Sequence, residues 1–192
     1  MKFIRTAIAD VIIIEPKVHG DERGYFVETF RCDKLEEFLG YKINFTQDNE
    51  SKSSRGVLRG LHYQLAPAAQ TKLVRVIAGR VLDVAVDIRK GSPTFGQHIA
   101  VELSAENKKQ LLVPRGFAHG FVVLEDNTTF AYKVDNYYSP ENDRGIAFDD
   151  VALDIDWKVH HDELNLSPKD KVQPKLADTD DVFNYGVDYY ND

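Results

Sequence analysis

The sequence predicts an all-β fold, an antiparallel sandwich or barrel with a few short peripheral helices. Between residues 43 and 138, short stretches rich in β-branched and aromatic residues follow one another at close intervals. Glycine, proline and Asp-Asn turns separate these stretches, a rhythm typical of antiparallel sheets rather than of alternating helices and strands. A chain of 192 residues, of which 43% are hydrophobic, is long enough to bury one core. We therefore expect a single domain over residues 1–192.

The N-terminal segment contains the first predicted strand and the first loop. Residues 11–14 are apolar and favour a strand that stops before Pro16, because proline cannot donate a hydrogen bond to a neighbouring strand. Such an early strand can join the sheet of its own chain or that of a neighbouring chain. Residues 19–24 have the composition of a loop, and residues 25–30 follow with the period of a short strand.

One clear helix precedes the main run of strands. Asp33 is expected to cap its N-terminus, Leu35, Phe38 and Leu39 form its apolar face, and Gly40 ends it. The pattern then predicts eight strands, at residues 43–49, 57–64, 72–78, 80–87, 98–103, 110–113, 117–123 and 128–136.

Beyond residue 138 the pattern is looser. Ser167-Pro168 resembles a helix start, because proline is favoured at the first helical position. The tail from about residue 176 to residue 192 is acidic and rich in tyrosine, and we expect it to lie at the periphery and to pack loosely.

The bulk composition excludes several classes of function. A net charge of −7 argues against a nucleic-acid polymer as the partner, although a local group of arginines and lysines can still bind one small anion. No apolar run is long enough to span a bilayer, and Lys2, Arg5 and Asp10 interrupt any N-terminal signal sequence. The single cysteine, Cys32, excludes an internal disulfide and suits a reducing compartment. We expect a cytoplasmic protein without a membrane partner.

The most informative stretch is RGLHYQ, at residues 59–64. On a strand, Gly60, His62 and Gln64 share one face, which carries no large apolar group. A strand face without large apolar side chains usually faces solvent or a polar cavity. Histidine is also the side chain that titrates near neutral pH. On this stretch alone a surface histidine is the simpler explanation. Other polar residues on strands favour a site.

Three further predicted strands carry polar side chains where packing favours apolar ones. Lys72 alternates with valines, His119 lies between two phenylalanines at period-2 spacing, and Tyr132 lies in an apolar strand. Each has an ordinary explanation, as a solvated strand start, a hydrogen-bonded core histidine and a strand aromatic. The ordinary explanation is weakest for His119, because a buried imidazole must find hydrogen-bond partners.

A metal site is the obvious alternative for two histidines in a β-barrel. The usual arrangement needs two histidines two residues apart on one strand, a carboxylate shortly after, and a distant third histidine. His62 is followed by Tyr63 and Gln64, and the adjacent His160 and His161 would point to opposite sides of a strand. We therefore expect no catalytic metal.

Long strings of the sequence match one known family in order. They are RGYFVETF, FTQDNESKSSRGVLRGLHYQ, AQTKLVRVIAGRVLDVAVDIRKGSPTFG, VELSAENKKQLLVPRGFAHGFVVL and YKVDNYYSPENDRGIAFDD. Over about residues 2–175 the chain resembles the dTDP-4-dehydrorhamnose 3,5-epimerases, metal-free, cupin-like enzymes of dTDP-L-rhamnose synthesis. The resemblance implies a jelly-roll core, a homodimer that exchanges about residues 1–20, no cofactor, and dTDP-4-dehydro-6-deoxy-D-glucose as the substrate.

The resemblance also implies roles for individual residues. His62 resembles the catalytic base, paired with Asp170, and Tyr132 resembles the acid on the opposite face of the sugar. Lys72 resembles the partner of the carbonyl oxygen. The matching substrate-binding positions are Arg23, Glu28, Gln47, Asn49, Arg59, His119, Tyr138, Asp143 and Lys169, with Tyr138 as the aromatic that stacks on thymine. Asp143 departs from the family pattern, which often has glutamate there.

The chemistry explains why these residue types are needed. In a 4-keto sugar, carbons 3 and 5 flank the carbonyl, so removal of either proton gives an enolate. An imidazole held by a carboxylate is a suitable base, an ammonium stabilises the charged oxygen, and inversion requires a second donor on the other face. The alternatives are an enzyme that inverts carbon 3 alone, a ketoisomerase, and a nucleotide-sugar binding protein without catalysis, which would need no acid–base pair.

Overall fold

The computed structural model describes residues 1–190, which form strands, one α-helix and short 3₁₀ turns. The helix α1 is Cys32–Leu39, and the 3₁₀ turns are His161–Glu163, Asp170–Val172 and Leu176–Asp178. The strands are β1 (Lys2–Arg5), β2 (Ile12–Glu15), β3 (Val18–Asp21), β4 (Gly24–Val27), β5 (Gln47–Ser53), β6 (Val57–Gln64), β7 (Lys72–Ala78), β8 (Arg80–Asp87), β9 (Arg89–Lys90), β10 (His98–Ser104), β11 (Gln110–Val113), β12 (Phe117–Val123), β13 (Thr128–Val134), β14 (Asp143–Gly145), β15 (Asn165–Leu166) and β16 (Phe183–Asn184). No helix in this described part is long and apolar enough to cross a membrane.

Two large sheets dominate the fold. The first has the strand order β1-β2-β11-β7-β13-β5, and the second has the order β10-β8-β12-β6-β14, with β15 added beside β6. Every pair in these two orders is antiparallel, and only β15 joins β6 in parallel. The predicted all-β jelly roll is therefore confirmed.

Apolar side chains fill the space between the sheets and cover the outer face of each. Alternation along β8 shows how: Val81 and Ala85 belong to a cluster that includes residues of both sheets. Leu82, Val84 and Val86 belong to a second cluster that the C-terminal segment covers. Helix α1 covers the outer face of the first sheet through Leu35, which is 2% exposed. The space between the sheets is thus available for a site only where polar residues replace apolar ones.

The predicted strands are largely confirmed, with one displaced. The strands at residues 57–64, 72–78, 80–87, 110–113 and 117–123 have the predicted bounds, and those at 98–103 and 128–136 differ by one or two residues. The first strand was predicted at 43–49 but is Gln47–Ser53. The apolar Ile43 and Phe45 pack outside the strand instead, Phe45 against the α1 cluster, while the polar β5 is an edge strand that pairs only with β13. Polarity on such an edge hides a strand from pattern recognition.

The helix start and the first loop also differ from the predictions. Asp33 is not the cap: α1 begins after Arg31, and Asp33 lies in the first turn, where its carboxylate pairs with the Arg31 guanidinium. Gly40 ends the helix with φ 82°, as predicted. Residues 19–24 are mostly a hairpin rather than a loop, because β3 and β4 pair with each other around Glu22-Arg23.

The two ends of the chain pack more firmly than expected. β2 pairs with β11 of its own chain and is largely buried, so the apolar strand at residues 11–14 joins its own sheet. Ser167-Pro168 leads into a 3₁₀ turn rather than an α-helix. The tail is held where Phe183 is 2% exposed and β16 pairs with β9, while most of its other residues up to Tyr190 are exposed. The last two residues of that tail lie outside the described residues.

Candidate active site

The predicted base lies on β6, and its carboxylate partner begins a 3₁₀ turn. His62 Nε2 lies 2.6 Å from Asp170 Oδ1, and Ser167 Oγ donates a hydrogen bond to Asp170 Oδ2 at 2.7 Å. Asp170 is 4% exposed. Burial raises the pKa of the Asp170 carboxyl, but the hydrogen bonds from His62 and Ser167 outweigh burial, so this pKa lies below its ordinary value. Asp170 is therefore a fixed carboxylate that orients the imidazole.

A register shift in β6 brings Arg59 to the side of His62. Strict alternation would put these two residues on opposite faces, yet both line the same cavity. The residues that pair with them on β12 are two apart, whereas they are three apart on β6. Gly60 allows this approach: it has φ +132°, and a Cβ there would lie 2.6 Å from Gly120 Cα.

A second histidine–carboxylate pair lies beside the first. His119 on β12 is the strand partner of His62, and its Nε2 lies 2.9 and 3.0 Å from the two carboxylate oxygens of Asp83 on β8. Both residues are buried, and burial raises the pKa of Asp83. Sequence reasoning missed Asp83. The available signal was a carboxylate among the apolar residues of β8, which must find a partner when it is buried.

Lys72 begins β7 in the facing sheet and reaches across to β6. Its Nζ donates a hydrogen bond to the backbone carbonyl of His62 at 3.2 Å. Burial lowers the pKa of the Lys72 ammonium to about 8, against the opposing effect of the carboxylates of Asp143 and Asp83. The ammonium remains the main form at neutral pH, so Lys72 is a cation beside the base.

Tyr132 on β13 supplies a hydroxyl group from the first sheet. Within residues 1–190 this hydroxyl has no hydrogen-bond partner, although it lines the same cavity as His62. Burial raises the pKa of the phenol, and the nearby Arg59 guanidinium opposes this effect. Tyr132 is therefore a protonated donor that is free to contact a bound molecule.

His62, Lys72 and Tyr132 line two adjoining cavities. The first cavity has a volume of about 470 Å³, and the predicted site residues that complete its lining are Arg59, His119 and Asp170. The second has a volume of about 380 Å³, and its lining includes Gln47, Asn49, Tyr138, Asp143 and Lys169. The structure thus brings together all but two of the residues that the sequence nominated.

Asp143, the residue that departs from the family pattern, connects two other predicted binding residues. Its Oδ2 accepts a hydrogen bond from the Tyr138 hydroxyl at 3.1 Å and also contacts Lys169 Nζ. The shorter carboxylate therefore contacts both an exposed aromatic ring and an ammonium that the family resemblance assigns to binding.

The two predicted residues outside these cavities are Arg23 and Glu28. Arg23 lies in the β3–β4 hairpin, where its side chain is 84% exposed and pairs with Asp21. Glu28 lies 3.6 Å from Arg31. The same hairpin exposes Tyr25 and Phe26, which are 60% and 69% accessible. Within its own chain, this segment does not reach the site.

The described site residues are not arranged as a metal centre. Among residues 1–190, no three His, Cys, Asp or Glu side chains are grouped so that they could hold a metal ion. The two histidines that face the cavity each use Nε2 to contact a different carboxylate.

Fold and site together define a class of protein. A cupin-like jelly roll that arranges a histidine–carboxylate pair, an ammonium and a free phenol around one cavity is equipped to remove and return protons, which is the chemistry of an isomerase.

Comparison with known proteins identifies the family. The sequence model of the dTDP-4-dehydrorhamnose 3,5-epimerases matches residues 5–178. The dTDP-4-dehydrorhamnose 3,5-epimerase of Shigella flexneri is 56% identical over 180 residues, which cover 94% of this chain and 98% of that protein. The chain belongs to the dTDP-4-dehydrorhamnose 3,5-epimerase family.

Two solved structures refine this placement. The RmlC epimerase of Legionella pneumophila, in complex with dTDP-4-keto-L-rhamnose, has a TM-score of 0.93 and 50% identity, covering 97% of this chain and 99% of that chain. ChmJ of Streptomyces bikiniensis, a 3'-monoepimerase in complex with dTDP-quinovose, has a TM-score of 0.84 and 34% identity, covering 90% of this chain and 87% of that chain. Double and single epimerases therefore share this fold.

Proposed function

We propose that this chain inverts carbons 3 and 5 of dTDP-4-dehydro-6-deoxy-D-glucose to give dTDP-4-dehydro-L-rhamnose in dTDP-L-rhamnose synthesis. One observation carries the proposal. His62, held by Asp170, and Tyr132 come from opposite sheets and line the same cavity, which Lys72 also lines. A sugar ring bound there has one face toward the base and the other toward the acid.

The reaction begins with removal of a proton. His62 takes the proton from carbon 3 or carbon 5, and Asp170 stabilises the imidazolium that forms. The C–H electron pair becomes the new carbon–carbon double bond, and the carbonyl pair moves to oxygen 4. The Lys72 ammonium stabilises that oxyanion, which is typically worth about 3–4 kcal/mol per donor.

Inversion then requires a proton from the opposite face. The Tyr132 hydroxyl gives its proton to the carbon, and the enolate collapses to the ketone. The raised pKa of the Tyr132 phenol keeps this hydroxyl protonated until that step. Before the next inversion, His62 loses its proton to solvent and the Tyr132 phenolate takes one up. No external cofactor and no metal ion takes part in this scheme.

The nucleotide contacts follow from the rest of the lining. Arg59 and Lys169 are cationic and partly accessible, so they bind the diphosphate. The ring of Tyr138, which is 60% exposed, stacks on thymine while Asp143 orients its hydroxyl. His119, held by Asp83, contacts the sugar, and Gln47 and Asn49 complete the cluster.

We further propose a homodimer in which the β3–β4 hairpin of one subunit completes the site of its partner. The hairpin forms its own two-stranded sheet, exposes two aromatic rings and carries Arg23, and Glu28 follows directly after it. Neither of these two predicted binding residues lines the cavities of its own chain. The segment we propose for exchange is therefore this hairpin, residues 18–27, which overlaps the expected residues 1–20 only at its start, rather than β2.

Hybrid dimers test the exchange. Arg23→Ala and His62→Asn should each be nearly inactive, and mixing them after mild unfolding should restore about a quarter to a half of the activity, because one hybrid site is intact. Mixtures that stay as inactive as the parents would show that Arg23 serves its own subunit. Sedimentation should give a dimer.

A 3-epimerase is the second candidate, because ChmJ shares the fold at 34% identity. Proton NMR of dTDP-4-dehydro-6-deoxy-D-glucose with the enzyme in deuterium oxide separates the two. Deuterium and inversion at both carbons support the proposal, whereas change at carbon 3 alone identifies a monoepimerase. No exchange at all would leave a binding protein.

We also propose that the reaction needs no metal ion, so that repeating it after exhaustive chelation should give the same rate. The single free cysteine suits a cytoplasmic location for the protein.

A further inference from the structure

The C-terminal tail lies beyond the residues that the family model matches, yet it packs against the site-bearing part of the fold. The match ends at residue 178, and the tail continues through β16. Its last described residue, Tyr190, packs its ring 5.0 Å from Tyr41 and 4.9 Å from the Arg115 guanidinium. The described part of the tail is therefore anchored through Tyr190.

The Tyr190 hydroxyl lies in a small polar cluster. It shares a hydrogen bond with Thr71 Oγ1 at 2.8 Å and accepts one from the Arg115 backbone N–H at 3.3 Å. Thr71 is 0% exposed. Removing such a hydroxyl leaves a buried threonine oxygen without this partner, which costs more than losing an exposed bond.

Thr71 is the residue immediately before Lys72. Its backbone N–H donates to Asp135 Oδ1 at 2.6 Å, and its carbonyl accepts from the Asp135 N–H at 3.4 Å. Asp135 in turn pairs with Arg115 at 3.2 Å. The start of β7 is thus held on one side by the β13 ladder and on the other by a cluster that Tyr190 completes.

We propose that Tyr190 is a positioning residue that acts through Thr71 to fix the Lys72 ammonium against the enolate oxygen. The proposal rests on the role given above to Lys72. It assigns to the tail a task in the reaction, rather than only a share of the fold's stability. The hydrogen bond at Thr71 helps to fix the backbone where β7 begins. The flexible Lys72 side chain extends from this point, so the position of the backbone sets the position of Nζ.

The kinetic test uses full-length variants that keep their volume. Tyr190→Phe should lower kcat about three- to tenfold, the worth of one hydrogen bond, and leave KM within about twofold, because the nucleotide contacts lie elsewhere. Thr71→Val should match it, and the double variant should be no worse than either single variant. Thr71→Ser keeps the hydroxyl and should retain wild-type kcat.

The matched control is Tyr185→Phe. Tyr185 lines the same peripheral cavity as Tyr190 and stacks on Arg89, but its hydroxyl has no hydrogen-bond partner among residues 1–190. Its kcat should equal that of the wild type. Equal kcat for Tyr190→Phe and Tyr185→Phe overturns the proposal, and so do additive losses in the double variant or a loss that appears in KM alone.

A second readout does not depend on turnover. The charged groups around Lys72 are Asp143 on β14, Asp83 on β8 and Lys169, and its Nζ contacts the His62 carbonyl while Tyr132 lines the same cavity. Tyr190→Phe alters none of these, so NMR of the labelled lysine reports the burial of its ammonium. Its pKa should rise toward the ordinary value when water gains access; an unchanged pKa overturns the proposal. If the wild-type chain proves inactive, the proposed function fails and this measurement still decides the role of Tyr190.

Discussion

The two walls of the cavity hold their polar groups in opposite ways. On the wall of β6 and β12, His62 and His119 each contact a buried carboxylate, at 2.6 and 2.9 Å. On the facing wall, the Tyr132 hydroxyl has no partner among residues 1–190, and Lys72 donates to a single backbone carbonyl. One wall is fixed by its own side chains, and the other keeps its donors available.

The difference between the walls matches the two halves of an inversion. A base must have a fixed direction and a steady basicity before substrate arrives, which a held imidazole provides. An acid and an oxyanion partner act on charge that exists only during the reaction, so prior hydrogen bonds would compete with the substrate. Substitutions on the two walls should therefore fail in different ways.

Removal of the base should have the largest effect. We expect His62→Asn to lower deuterium exchange at both carbons by about 10⁴, the upper end for a general base, because it removes the imidazole that we assign as the base. Binding of dTDP, measured by calorimetry, should stay near the wild-type value. The exposed His160→Asn variant is the control. Exchange near the wild-type rate in His62→Asn would move the base to His119.

Removal of the acid should separate exchange from inversion. In Tyr132→Phe, His62 can still take a proton and return a deuteron to the same face, so exchange continues. Inversion at carbon 5 should slow by about 10²–10⁴, the usual worth of a positioned acid. Both rates come from one NMR time course, with Tyr137→Phe as the exposed control. Equal loss of exchange and inversion would place Tyr132 in proton abstraction or binding instead.

The polar residues that face the cavity were easier to recognise in the sequence than the carboxylates that hold the two histidines. Lys72 and Tyr132 interrupt apolar strands, and His119 lies between two phenylalanines, so alternation marked them as unusual, and the family resemblance then gave them roles. The partners of the histidines are a different matter. Asp170 is 108 residues from His62 along the chain, and only the family resemblance joined them.

Other features had no local signal. Arg59 faces the cavity because of a register shift that alternation does not predict. The edge strand β5 is polar, and the acidic tail has the composition of a loose end although Phe183 is buried and the Tyr190 ring packs on Tyr41. In each case a contact made far away in the sequence overrides the local pattern.

Replacing Lys72 should cost activity and add stability. We expect Lys72→Met to lower kcat about 10²–10³-fold, because an oxyanion partner is lost.

The pKa of Lys72 is lowered from 10.5 to about 8, so the charged form is disfavoured in the folded protein. The unfolded chain binds more protons between these two values, and wild-type stability rises with pH across that window. Lys72→Met should therefore melt higher than the wild type below about pH 8, and the difference should narrow toward pH 10.5. A lower melting temperature at pH 7 would contradict this.

The smallest effect should come from Ser167, which supports the fixed wall. Its hydroxyl donates to Asp170 Oδ2 at 2.7 Å and accepts the Asp170 N–H at 3.2 Å, while the other carboxylate oxygen contacts His62. Ser167→Ala removes one of two side-chain bonds to the carboxylate, so Asp170 loses a constraint and keeps its charge. We expect kcat to fall about three- to tenfold, with Ser167→Thr retaining most of it.

Two further measurements connect this loss to the carboxylate. In an Asp170→Asn background, Ser167→Ala should add little, because the two residues act through one group. The lowered pKa of Asp170 stabilises the fold above the ordinary carboxyl value of 3.8, and that contribution is lost as pH falls through the lower folded-state value. Ser167→Ala moves the pKa back up, so urea unfolding should show a less stable variant at pH 7 and a smaller difference near pH 3. If Ser167→Ala lowers kcat as much in the Asp170→Asn background as in the wild type, Ser167 acts on the substrate directly and not through the Asp170 carboxylate.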